Sequence, residues 1–109
     1  MPQIKDIAAK QLMEGITGHY AHGEKITFGL VEIKEGTVMP THRHVQEQIT
    51  YLLHGELEME IEGVVYSLTP GSYHVIPSNS WHGAHAITAC TVIDVFAPVR
   101  EDYKTQLLT

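Results

Sequence analysis

Residues 56–62 read ELEMEIE, with Glu56, Glu58, Glu60 and Glu62 alternating with Leu57, Met59 and Ile61. A period of two sends alternate side chains to opposite faces of an extended chain, so this run is a strand with a solvated glutamate face. Gly63 turns the chain, and VVYSL (64–68) returns it as the second arm of a hairpin. The short apolar runs 26–33 (ITFGLVEI), 48–53 (QITYLL), 73–76 (YHVI) and 90–97 (CTVIDVFA) predict further strands. Gly15, Gly18, Gly23, Gly36, Pro40, Gly55, Gly63, Pro70, Gly71, Pro77 and Pro98 break the chain between them. Short runs separated in this way predict an all-β fold, a small sandwich or barrel. Residues 4–14 (IKDIAAKQLME) carry no clear period and predict a short helix or an irregular arm. The expected layout is one domain over 1–109, with an arm at 1–15, a barrel at 16–98 and a tail at 99–109. Several strands are apolar on both faces, as expected where a second subunit covers the outside of a sheet, so a homodimer is expected.

Composition narrows the function classes. The chain has 109 residues, enough for one hydrophobic core, and 43% apolar against 18% charged residues, an ordinary globular balance. A net charge of −6 with seven Lys plus Arg and no basic cluster disfavours nucleic acid and anionic membranes as partners. The first fifteen residues hold no apolar stretch of the kind a secretion signal needs, and a cytoplasmic location is expected. Cys90, the single cysteine, lies in an apolar run and reads as a buried inert thiol.

Eight histidines change the picture. In THRHVQEQ (41–48), His42 and His44 share a strand parity, one pleat repeat apart, and both imidazoles can reach one ion. If the chain stays extended, Gln48 keeps that parity and points the same way. His82 can join them only if its own strand lies alongside. Among the rest, His54 and His85 read as exposed, and His19 and His22 as exposed or interfacial. His74 is either a core or a cavity residue. Trp81 and Tyr51 read as core or interface aromatics, and Tyr66 as a candidate for the cavity wall.

The spacing of these residues resembles the cupin family. Gly36, His42, His44, Gln48 and Gly55 follow the first cupin motif, G(X)5HXH(X)3,4E(X)6G, with an amide replacing the acid. Gly71, Pro77 and His82 follow the second, G(X)5PXG(X)2H(X)3N. Asn79 stands for its second glycine, a substitution that a left-handed turn tolerates, and Ala86 replaces its final asparagine. The resemblance implies a double-stranded β-helix, or jelly-roll barrel, holding one divalent transition metal on His42, His44, Gln48 and His82. Donors of this kind accept Zn, Ni, Mn, Co or Fe. Three neutral imidazoles and a neutral amide leave the full double charge on such an ion. That suits polarising an oxygen better than supporting a higher oxidation state.

The C-terminal run IDVFAPVRED carries the second cluster. Asp94 interrupts an apolar strand, where a carboxylate is costly unless it is paired, near a metal or at the strand's wet face. Phe96 shares its parity, and Arg100 follows the Pro98 bend, where it can fold over a cavity mouth or pair with Asp94. The segments EQITYLLHGE, HGAHA and DVFAPVRED resemble the small pectin-degradation cupins of the KdgF type. Those proteins convert 4,5-unsaturated uronates into linear keto sugars. The resemblance implies catalytic roles for Asp94 and Arg100, and substrate contacts from Phe96 and Arg100. Tyr66 is a further candidate contact, on its strand position alone. A small anionic molecule is then the expected partner. A dioxygenase-type cupin and a non-catalytic ligand-binding cupin remain open as alternatives.

Overall fold

The alternation in ELEMEIE has its expected consequence: Leu57, Met59 and Ile61 are buried while Glu60 faces solvent. The computed structural model describes residues 1–104. A single 3-10 turn (Ile4–Asp6) precedes ten strands: β1 (Lys10–Met13), β2 (Ile16–His22), β3 (Thr27–Ile33), β4 (Val38–His42), β5 (Glu47–His54), β6 (Leu57–Ile61), β7 (Val64–Leu68), β8 (Tyr73–Ile76), β9 (His82–Ala86) and β10 (Cys90–Ala97). A four-residue helix, α1 (Glu101–Lys104), closes the described chain. The part of the expected tail at 105–109 lies outside the described residues.

All pairings are antiparallel, in a six-stranded sheet ordered β1-β2-β3-β10-β5-β8 and a four-stranded sheet ordered β4-β9-β6-β7. Their inner faces share one core, in which Ile16, Val31, Val92, Leu52 and Ile76 of the larger sheet meet Leu57 and Met59 of the smaller. Neither alternative for residues 4–14 describes the arm fully. β1 pairs with β2 through an irregular register between Gln11 and Met13, so Leu12 and Met13 both pack against the core. That bulge removes the strict alternation by which a strand is recognised. His19 ties the preceding turn down, its Nδ1 lying 2.7 Å from the Ile7 carbonyl oxygen.

Two turns bear on the site. Asn79 has φ 63, the left-handed conformation that its place in the second motif requires. Glu62 and Gly63 have φ 49 and 83, as in the two-residue turn that matches the twist of a hairpin. Glu62 is more than part of a solvated row. Its Oε2 accepts a 2.7 Å bond from the Trp81 N–H, and its own N–H donates to the Trp81 carbonyl at 2.8 Å. The hairpin turn is thereby fastened to the residue preceding His82.

The middle of the larger sheet's outer face is apolar, between exposed Glu32 at one end and Glu47 at the other. Across neighbouring strands Phe28 pairs with Val95, Val95 with Ile49 and Ile49 with Val75, and beside them Ile93 pairs with Tyr51 and Tyr51 with Tyr73. Phe28, Ile49, Tyr51, Tyr73 and Val75 are exposed. Tyr51 therefore does not belong to the core, and neither does exposed Trp81, whose ring carries the Arg43 guanidinium at 4.5 Å. Among the described residues no helix is long and apolar enough to cross a membrane.

Candidate metal centre and cavity

Between the two sheets lies a narrow cavity of about 50 Å³. It is lined by His42, His44, Gln48, His82, Asp94, Phe96 and Arg100, together with core side chains. The predicted residues other than Tyr66 therefore converge, by routes that differ in part from the expected ones. His42 ends β4 and lies directly opposite His82 on β9, the adjacency that sequence could not supply. Their rings are 4.3 Å apart, centroid to centroid. His44 is not on the strand with His42; it sits in the connection to β5, its ring 4.9 Å from that of His82. The chain changes sheets between His42 and Glu47, so continuous strand parity cannot be what directs Gln48 inward. Gln48 faces the cavity because it lies on the inner side of β5, opposite Phe96 of β10.

The three imidazoles share one orientation. The Nδ1 of His42, His44 and His82 lies 2.8, 3.0 and 2.8 Å from the carbonyl oxygens of Pro40, Gln46 and Ser80. A carbonyl only accepts, so each Nδ1 carries the proton and each neutral ring keeps its lone pair on Nε2. One ligand nitrogen from each of the three rings lies within 4.8 Å of the others. The His82 Nε2 is buried without a hydrogen-bond partner. The His44 Nε2 stands 3.1 Å from Gln48 Oε1. With the His44 proton on Nδ1 both of these atoms are acceptors, and a cation between them relieves the opposition. Burial also disfavours a second proton: it lowers His82 to about 4, and it lowers His44 with the Arg100 charge adding to the effect. A cluster of three lone pairs, braced by backbone carbonyls, fits a divalent metal ion.

The second cluster is built across β5 and β10, where Asp94 lies opposite Thr50. Thr50 Oγ1 donates to Asp94 Oδ1 at 2.7 Å, and Gln48 Nε2 donates to the same oxygen at 3.2 Å. Burial raises the pKa of Asp94, and these two bonds and the Arg100 charge oppose the rise. Arg100 does not pair with Asp94. Its Nε and Nη2 hold Asp102 in a two-pronged bond at 3.1 and 2.8 Å. The guanidinium carbon stands 3.8 Å from the centre of the Tyr103 ring and 4.7 Å from that of Phe96. After the cis Ala97–Pro98 bond, two contacts hold this segment against the sheets. Gln46 Nε2 donates to the Val99 carbonyl at 3.3 Å, and the Arg100 N–H donates to Thr27 Oγ1 at 2.9 Å.

Tyr66 does not line the cavity. It lies opposite inward-facing Met59, but on the edge strand β7, where its half-exposed ring packs on His74 of the other sheet's edge strand at 4.2 Å. His74 is thus neither a core residue nor part of the metal cluster. His54 and His85 are exposed, as expected, while His19 and His22 are partly buried by their bonds to Ile7 and Thr27. Cys90 is buried and free. Sequence reasoning missed Thr50, Asp102 and Tyr103. Thr50 shares parity with Gln48 and was open to detection, whereas Asp102 and Tyr103 lie past the last strand, where no period applies.

Comparison with known proteins agrees with this geometry. The sequence profile of the cupin domain matches residues 29–96. The pectin degradation protein KdgF of Dickeya dadantii (strain 3937) is 32% identical over 75 residues, covering 67% of this chain and 68% of that protein. The solved structure of KdgF from Halomonas sp. superposes with a TM-score of 0.84 at 32% identity, over 91% of this chain and 93% of that one. An RmlC-like cupin from Shewanella frigidimarina NCIMB 400 superposes with a TM-score of 0.88 at 24% identity, over 94% of both chains, which bears on the fold alone. The chain belongs to the cupin family, and within it is a KdgF-like cupin.

Proposed function

We propose that the protein is a divalent-metal cupin that opens the ring of a 4,5-unsaturated uronate to give the linear keto sugar. The observation that carries this reading is the meeting, in one cavity, of the three Nε2 lone pairs and Gln48 with Asp94, Phe96 and Arg100. Kinship with pectin degradation proteins supports a uronate as the ligand. His42, His44, His82 and Gln48 would hold the ion, whose charge polarises an oxygen of the sugar. Arg100, stacked on Tyr103 and steered by Asp102, attracts the ligand's carboxylate. Phe96 forms wall beside it. In the reaction the hemiacetal hydroxyl loses its proton and the bond from C1 to the ring oxygen breaks. The resulting enolate takes up a proton at the former alkene carbon and becomes a ketone, with no change of oxidation state. Asp94, held at Oδ1 by Thr50 and Gln48, accepts and returns the proton.

The test is loss of the alkene absorbance of a 4,5-unsaturated galacturonate, alongside elemental analysis of the untagged protein. Loss faster than the spontaneous rate, and abolished in Asp94→Asn and His42→Ala, is the expected result. A fully metal-loaded protein that gives no acceleration would exclude this substrate. We further infer a cytoplasmic homodimer joined through the outer face of the six-stranded sheet. The exposed, uncharged row from Phe28 through Ile49 to Val75, with Tyr51 and Tyr73, supports that interface.

A further inference from the structure

A side-chain amide has an accepting end and a donating end, and only its oxygen can ligate a cation. Which end of Gln48 meets the three histidines is therefore a functional matter, and the cavity holds the groups that decide it. Gln48 Nε2 lies 2.9 Å from Thr50 Oγ1 and 3.2 Å from Asp94 Oδ1. The Thr50 hydroxyl hydrogen is committed to Asp94 Oδ1 at 2.7 Å, so Thr50 offers Gln48 only lone pairs. A reversed amide would press its oxygen against two oxygens whose shared hydrogen is already committed between them. Thr50 and Gln48 are both buried, at 2% and 7% exposure, so water has little access to repair such a contact.

We propose that Thr50 is a positioning residue which, with Asp94, locks the Gln48 amide so that Oε1 faces the imidazoles. The inference rests on the metal reading of the triad. It also gives a reason for an amide where the family's motif has an acid. A carboxylate at position 48 would have no donor to turn toward Asp94, whereas glutamine serves the metal side with its oxygen and the Asp94 side with its nitrogen.

Metal-stripped protein would be titrated with Co2+, with affinity read by calorimetry and coordination by the visible spectrum. The wild type is expected to bind one ion per chain. Thr50→Val, which keeps the shape and removes the hydroxyl, should bind about 10- to 100-fold more weakly, the usual cost of losing an outer partner of a metal ligand. Its cobalt spectrum should change as well. Thr50→Ser should restore both. Adding Asp94→Asn to Gln48→Glu should raise the cobalt affinity of the single variant, by supplying the missing donor. A wild type that takes up no cobalt would overturn the metal reading and this inference together. Wild-type binding with Thr50→Val unchanged in affinity and spectrum would overturn the lock alone. A loss in Thr50→Val that Thr50→Ser does not repair would also overturn it, assigning Thr50 to packing instead.

Discussion

Acid should loosen the metal-free fold largely through one ring. His82 is 3% exposed, and burial lowers it from 6.5 to about 4, against the pull of its bond to the Ser80 carbonyl. In the unfolded chain the same imidazole takes its proton near 6.5. Between those values the unfolded state binds more protons, so stability falls as the pH drops from 6.5 toward 4. A gap of about two and a half pH units at roughly 1.36 kcal/mol each corresponds to about 3 kcal/mol, most of which is lost by pH 4.5. This is an upper figure, because the ring borders the cavity and water relieves part of the burial. It is still a large share of the roughly 5–15 kcal/mol by which domains are stable. His44, also lowered by burial, acts in the same direction. The assay is urea unfolding followed by circular dichroism, with a chelator present, at pH 7 and pH 4.5. His82→Asn runs in parallel to cancel the carboxylates that titrate in the same range. The wild type should lose more stability than the variant by an amount approaching that figure. Equal losses in the two proteins would refute the argument.

Asp102→Ala should weaken the binding of a small carboxylate ligand, measured by calorimetry, because it frees the fork of Arg100. Since Asp102 is 59% exposed in that pair, the melting temperature should barely move. Gly55→Ala should cost about 1–3 kcal/mol in thermal unfolding, since Gly55 has φ 95 and a Cβ there would collide with the Ala89 carbonyl oxygen. Ile49→Asp combined with Val75→Asp should convert a dimer to a monomer in light scattering while leaving metal uptake intact.

Part of the candidate site was legible because Gln48, Asp94 and Phe96 sit on strands, where parity carries information, whereas His44 and Arg100 lie in connections that parity does not reach. Asp94 and Phe96 share the inner face of β10, as their spacing requires. The same reasoning reached the right conclusion for Gln48 by a wrong path. It assumed one extended segment from His42 onward, but the chain crosses to the other sheet before β5 begins. Parity also says nothing of a strand's rank within its sheet, which is why Tyr66 has the inward position and yet sits at an open edge. The tether on Arg100 was beyond reach for another reason. An Asp two residues away on a short helix leaves no pattern to read, and the competing Asp94–Arg100 pair was chemically as reasonable.

The bonds between Glu62 and Trp81 limit how this hairpin can evolve. A two-residue turn has no slack, and here both of its hydrogen-bonding handholds lead to the residue beside a proposed metal ligand. Loops elsewhere on a sandwich can lengthen without consequence for a distant cavity. An insertion between β6 and β7 would instead draw on the 81–82 segment and disturb His82. Diversity of ligand choice among relatives built this way should therefore arise at the C-terminal segment that carries Arg100, with the β6–β7 turn kept short.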